Sequence, residues 1–401
     1  MRDINLRHIF ALTVIADAGS LSAAAERVHL SQSALTQALR KIEASAGLPL
    51  FDRVGYGVTP TNAGQFLIRR SERAFALLSD AERTIRQRKA TRSEPKKSDS
   101  HVTTSQLKAL IAIVDTGGYS LAARKLGLAQ PTVYRAAKEL EARIGAQLFY
   151  RTARGIETSE SARLLARHAE LAFSEIRQGF EEISEMQGRM SSRVAVGCLP
   201  LARVELLPRA VTRLLETYPG AEVSIMDGPY TEQLHALRYG HIDWIIGALR
   251  QPVPTPDIVQ QHLFEEPLAI VVRNLHPMLG PLTPTPAALA ELEWIAPAKH
   301  TPARDLFTAF FASNGVATPK RIIECSSLIA IRGLLQDSDR AALLSPSQVR
   351  RDVATNQLAI VGEPLPGTSR PIGLTLRANW EPTVVQAEFS NIIRAQAQKN
   401  S

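Results

Sequence analysis

The chain has 401 residues, 45% of them hydrophobic, enough for two to four separately packed cores. No apolar run is long enough to cross a bilayer, and the start, MRDINLRHIF, lacks the regions of a secretion signal, so the expected location is the cytoplasm, with no membrane partner. The net charge of +8 lies wholly in the first half: Lys and Arg against Asp and Glu number 16 to 10 over residues 1–100, 12 to 10 over 101–190 and 19 to 19 over 191–401, as when one part meets a polyanion and the rest does not.

The first apolar spacing, Ile9, Leu12, Thr13 and Ala16, predicts a helix with one buried face. After Gly19, Ser20 caps a second, alanine-rich helix, and a tight turn at HLS leads to Ser31, which caps a third. In that helix, SQSALTQALRKIE, Ala34, Leu35, Ala38, Leu39 and Ile42 face inward, leaving Gln32, Ser33, Thr36, Gln37, Arg40 and Lys41 outward. A polar, partly basic face on a helix set at a tight turn suits a DNA major groove. GLPLFDRVGYGVTPT then predicts a β-hairpin, or wing, with Arg53 near its base, and NAGQFLIRRSERAFALLSDAERTIRQRKA a long amphipathic helix. TRSEPKKSDS reads as a flexible linker.

The whole pattern then repeats. Shifting the chain by 98 residues aligns Ile9–Gly64 with Leu107–Ala162 without a gap, with identities that include Gly19/Gly117, Gln32/Gln130, Glu43/Glu141, Phe51/Phe149 and Arg53/Arg151. The segments AAERVHLSQSALTQALRKIEASAGLPLFDR and AARKLGLAQPTVYRAAKELEARIGAQLFYR both resemble the winged helix-turn-helix of LysR-type transcriptional regulators, whose pattern is A-A-x-x-L-x-x-S-Q-P/S-A-L-S/T followed by G-x-x-L-F-x-R. The copies differ: Ser31 becomes Ala129, with Pro131 in the first turn, and the wing's Tyr56 becomes Arg154.

The resemblance implies DNA contact through Ser31, Gln32, Ser33, Thr36, Gln37 and Arg53 in the first copy, and through Gln130, Pro131, Thr132, Tyr134, Arg135, Arg151 and Arg154 in the second. It makes the long helices dimer contacts, and two of them per chain make higher oligomers possible. The missing cap and an excess of only +2 leave open an alternative in which the second copy is a dimerising scaffold.

From about Ser192 the period changes. RVAVGC, AEVSIMDG, WIIGAL, EEPLAIVVR, EWIAPA, KRIIECS, RAALLSP and RPIGLTLRA predict strands alternating with helices, hence mostly parallel sheets. LLPRAVTRLLETYPGAEVSIMDG and LRYGHIDWIIGAL resemble the LysR-type effector domain, which implies two periplasmic-binding-protein-like subdomains crossed near Glu265 and Pro366. The expected fold is therefore α+β and multidomain: winged helix-turn-helix modules over 1–64 and 102–162, linker helices over 65–90 and 163–190, a flexible linker over 91–101, and an α/β effector domain over 191–401. Its subdomains are expected at 191–265 with 367–401, and at 266–366.

Ligands in such folds sit beyond the carboxyl ends of the strands. The candidate loops are CLPLA, PAKHTPAR, CSSL and LSPS, with Leu199, Pro200, Lys299, His300, Thr301, Ser326 and Ser327 as candidate contacts to a small anionic metabolite. Thr301 and Ser326 could instead merely cap helices. Cys198 and Cys325 end strands, lack an electropositive cluster, and read as two buried free thiols.

No histidine falls in a metal or Cys-His spacing, and no G-x-S-x-G or phosphate-cradling glycine loop is present, so neither catalysis nor a cofactor is expected. The expected protein is a ligand-responsive regulator whose partners are double-stranded DNA, a small effector, further copies of itself as a dimer or tetramer and, from the resemblance, RNA polymerase. The alternative is a DNA-binding or dimerising scaffold whose cleft does not respond to a ligand.

Overall fold

The computed structural model describes residues 5–55, 57–89, 102–153, 155–189, 192–280 and 284–398, so the linker expected at 91–101, Tyr56 and Arg154 lie outside the described residues. The chain forms two compact units, Met1–Ser192 and Arg193–Ser401. Among the described residues, no helix is long and apolar enough to cross a membrane.

The first unit repeats one series of elements. α1 (Leu6–Ala18), α2 (Leu21–Arg27), α3 (Gln32–Ala46), β1 (Phe51–Val54), β2 (Gly57–Pro60) and α4 (Asn62–Lys89) are followed by α5 (Thr104–Thr116), α6 (Tyr119–Leu126), α7 (Gln130–Ile144), β3 (Phe149–Thr152), β4 (Gly155–Thr158) and α8 (Glu160–Met186). Each element of the second series starts 98 residues after its counterpart, from 6 and 104 to 62 and 160. Gly47 and Gly145 close α3 and α7 at φ +74° and +68°, where a side chain would strain the backbone.

The repeated glutamate ties each third helix to its wing. Glu43 accepts from the Leu50 amide at 2.9 Å, and Glu141 from the amides of Leu148 and Phe149 at 2.8 and 3.0 Å. Burial opposes ionisation of Glu141, but Lys138 and these amides outweigh it and hold the carboxyl below its ordinary range.

The two long helices pack on each other within one chain. Arg70 of α4 meets Gln178 of α8, while Arg88 reaches Glu160 at 3.3 Å, so the helices run antiparallel. Phe75 and Phe173, themselves 98 apart, fall at the midpoint of this pairing. Close approach is possible because position 179 is glycine: a Cβ there would lie 2.9 Å from Leu67 Cδ1. The two faces expected to seek other copies are therefore spent on each other.

On one side of that midpoint lies a buried ion cluster. Arg70, with no exposed surface, donates to Glu175 at 2.9 Å and to Glu182 at 2.6 Å, while Arg69 and Arg73 reach the same two carboxylates at 3.0 and 3.1 Å. Burial alone would lower the Arg70 pKa, yet the bonds to Glu182 and Glu175 prevail and raise it.

The second unit holds two five-stranded sheets. Its elements are β5 (Arg193–Cys198), α9 (Leu206–Thr217), β6 (Glu222–Asp227), α10 (Tyr230–Arg238), β7 (Trp244–Ala248), β8 (Ile258–Glu266), β9 (Ala269–Arg273), α11 (Pro286–Ala290), β10 (Trp294–Ala296), α12 (Pro302–Ser313), β11 (Ile322–Glu324), α13 (Leu328–Gln336), β12 (Ala341–Leu344), α14 (Pro346–Ala354), β13 (Leu358–Val361), β14 (Arg370–Arg377) and α15 (Val384–Gln398). One sheet has the order β6-β5-β7-β14-β8, the other β11-β10-β12-β9-β13.

Each sheet is half parallel and half antiparallel, which corrects the expectation of mostly parallel sheets. The difference comes from the chain crossing between sheets, from β8 to β9 and back from β13 to β14, without the helical crossover that parallel neighbours require. β8 and β14 approach so closely that a Cβ on Gly373 would lie 2.1 Å from the Gln261 carbonyl oxygen.

Candidate nucleic-acid interface and ligand cleft

The face of α3 is open. Gln32, Ser33 and Gln37 are exposed and Thr36 half-buried, and with Ala34 and Arg40 they line one depression. Ala34, expected to point inward, is exposed: it sits in the first turn, before the helix reaches the core at Leu35 and Ala38. Ser31 accepts from the Ala34 amide at 3.2 Å, and Arg53 projects from β1 into solvent.

The corresponding face of α7 is open too, but more aromatic. Gln130, Pro131, Thr132, Arg135 and Arg151 are exposed, and Gln130 accepts from Ser120 at 3.1 Å. Tyr134, 42% exposed, stands edge-on to Tyr119 at 5.2 Å with the Lys138 ammonium 5.8 Å from its ring, which fixes an apolar surface where α3 carries Thr36.

Ala129 supplies no cap, yet its backbone, φ −72° and ψ 141°, matches that of Ser31, φ −68° and ψ 149°. The capping geometry is therefore preset, and Ala129→Ser should stabilise by about 1 kcal/mol, with Ser31→Ala costing about the same. Denaturant titrations check both; no gain at position 129 would mean that Pro131 already makes the cap redundant.

In the second unit the expected ligand residues separate. Leu199 is buried against Gly247, where a Cβ would lie 2.5 Å from its own, and packs with the core behind the strand ends. Pro200 opens a 3-10 turn. Lys299, His300 and Ser326 are exposed, whereas Thr301 caps α12, accepting from Arg304, and Ser327 caps α13, accepting from Ala330.

A second group, not singled out in the sequence, gathers around the crossings. Arg250 follows β7 and lies over the Tyr230 ring at 4.5 Å. Arg370, the first residue of β14, is 9% exposed and donates to Ser345 Oγ at the start of α14. Burial pushes the Arg370 pKa down to about 10, with Arg250 adding to the fall and Glu266 opposing it; burial lowers Arg250 as well. Among the described residues, Arg250 Nη1, Arg370 Nε, Ser347 Oγ and Tyr230 Oη are buried without a hydrogen-bond partner. Ser345 lies in the LSPS loop already flagged as a candidate, but an isolated Arg at a strand end reads as surface, and only the packing shows otherwise.

The two thiols differ, which corrects the expectation that both are buried: Cys325 is half-exposed because it follows the outer strand β11. Burial pushes Cys198 up to about 12, leaving roughly one part in ten thousand as thiolate at pH 8. Iodoacetamide should therefore modify Cys325 in the native protein and Cys198 only after unfolding, as peptide mass spectrometry would read; labelling of native Cys198 would contradict this packing.

The family described as the bacterial regulatory helix-turn-helix protein, lysR family, matches twice, at residues 6–65 and 104–163, and the LysR substrate binding domain matches residues 187–398. The chain is 32% identical over 374 residues to the HTH-type transcriptional regulator GalR of Pseudomonas putida, covering 93% of this chain and 92% of GalR. That span is too long to omit either module. It is 31% identical over 300 residues to PcaQ of Agrobacterium fabrum, covering 75% of this chain and 96% of PcaQ. A full-length single-residue variant of OxyR from Pseudomonas aeruginosa shares the fold, with a TM-score of 0.54 at 20% identity over 73% of this chain and 98% of that one.

Proposed function

The chain belongs to the LysR family of transcriptional regulators, and from that premise we propose that each copy carries a complete pair of DNA-binding arms and sets both recognition helices, α3 and α7, on one operator. The antiparallel pairing of α4 with α8 carries this reading, since it joins both modules in one unit. The open faces of α3 and α7 and the positive charge of residues 1–190 support it. A small anionic effector bound in the second unit alters how the arms engage DNA in the cytoplasm, where RNA polymerase is the downstream partner. Further association of copies uses surfaces outside the α4–α8 contact.

The uncapped α7 and its apolar Tyr134 favour a second reading, in which that module only supports the first. Operator affinity separates the two. Alanine at Gln130 and Arg135 weakens binding if both arms read DNA; unchanged affinity removes the second module from the operator.

A further inference from the structure

We propose that the protein reads a non-palindromic operator with fixed polarity. α3 takes a half-site with adenine where Gln37 reaches the base edge, and α7 takes a half-site with guanine at the symmetry-related place, read by Arg135. Gln37 and Arg135 are then the specificity-determining residues, one for each half. This rests on the reading above that both arms sit on one operator.

The two helices are held in the same frame. Each has 15 residues, starts from an N-cap of nearly the same backbone, ends at a left-handed glycine and is tied to its wing by Glu43 or Glu141. A side chain and its counterpart 98 residues on therefore hold the same place on their modules. The antiparallel pairing of α4 with α8, centred on Phe75 and Phe173, relates those modules by an approximate twofold axis. They meet inverted half-sites, as two identical chains would, but identical chains present the same side chains to both halves.

Here the exposed side chains differ. Gln32 and Gln130 match, but Gln37 becomes Arg135 and Lys41 becomes Glu139. Gln37 and Arg135 are both exposed, and neither side chain has a hydrogen-bond or ion-pair partner among the described residues. A carboxamide pairs with N6 and N7 of adenine and a guanidinium with O6 and N7 of guanine, so one place on the two modules asks for different purines. The neighbouring position differs in kind as well. Thr36 Oγ1 donates to the Gln32 carbonyl at 2.8 Å, whereas Tyr134, edge-on to Tyr119, offers an apolar surface to a thymine methyl in the α7 half alone. One turn on, Arg40 is exposed, while its counterpart Lys138 is held by Glu141 at 2.7 Å. The buried cluster of Arg70 with Glu175 and Glu182 joins unlike helices, so each operator receives one α3 and one α7. The order of the two half-sites then fixes which way the chain lies along the DNA.

Selection of bound sequences from a random duplex of about 25 base pairs, room for two half-sites, tests the proposal with the full-length parent, Arg135→Gln and Gln37→Arg. The parent should select inverted half-sites that differ, with adenine in one and guanine in the other. Arg135→Gln should change the guanine to adenine, and Gln37→Arg the adenine to guanine, each leaving the other half-site as it was. Titrated at one salt concentration, the parent should bind the adenine–guanine duplex about 5- to 150-fold more tightly than either symmetric version. Arg135→Gln should instead bind the doubly adenine duplex best, and Gln37→Arg the doubly guanine one. The proposal is overturned if the parent selects two identical half-sites, or if either exchange leaves the selected base unchanged. Two identical half-sites keep both arms on the DNA and sink the asymmetry alone. A single half-site with the rest random removes one module from the DNA, and with it both the two-arm reading and this proposal.

Discussion

Replacing Arg70 by alanine lowers the stability of the N-terminal unit by about 3–5 kcal/mol, the usual cost of removing one partner from a buried ion cluster. The side chain has no exposed surface and binds both Glu175 and Glu182, so its loss leaves two carboxylates facing a helix contact with too little compensating charge. Hydrogen exchange along α4 and α8 isolates the effect, because a chain of two units need not unfold in one step. Protection in the variant equal to the parent's would mean that Arg69 and Arg73 suffice to neutralise the pair.

The same cluster makes the pairing one-sided. Reflected through the midpoint at Phe75 and Phe173, Arg70, Glu175 and Glu182 correspond to His168, Leu77 and Thr84. Two copies of α4 would therefore set Arg70 opposite Leu77 and Thr84, and two copies of α8 would bury Glu175 and Glu182 without Arg70. Either exchange between chains leaves charges unpaired, so the helices select each other.

Alanine at Gln130 and Arg135 weakens operator binding by about 1–3 kcal/mol for each side chain that reads a base edge, roughly 5- to 150-fold apiece. Alanine at Gln32 and Gln37 on α3 should cost a similar amount. The two sets lie on separate helices, so their losses should multiply in the combined variant. Titration of labelled promoter DNA from beside the gene reads all three. A loss confined to the α3 set would leave the second module as support for the first. Deleting the first module is a poorer test, because a chain starting near Asp99 lacks α4 and exposes the face of α8 that holds Glu175, Ile176 and Glu182.

The repeat, the third helices and the wings were legible because turn residues and apolar spacing fix local structure, and a 98-residue shift superposes them at Gly19/Gly117 and Glu43/Glu141. What buries an amphipathic face is not local. The pattern along Ala74, Leu78 and Ile85 predicts a covered helix but not that α8 covers it, and Arg70 in LIRRSER looks like a surface residue. The concentration of Arg69, Arg70 and Arg73 on one helix against Glu175 and Glu182 on the other was the available signal. β8 was missed because IVQQHLFEE alternates poorly, with polar residues on both faces of a strand that runs along a sheet edge. Arg250 and Arg370 escaped because burial of a lone arginine is decided by the crossings, which bring distant segments together.

The salt dependence of operator binding tests the paired-arm account most directly, with Arg53→Ala, Arg151→Ala and the double variant measured beside the parent. Arg53 and Arg151 are equivalent exposed residues on β1 and β3, one in each module. If each neutralises a phosphate, the slope of log K against log salt should become shallower by about 0.9 in either single variant and by about 1.8 in the double. A slope that changes for Arg53→Ala but stays at the parent's value for Arg151→Ala, or the reverse, would contradict the account and leave one arm off the DNA.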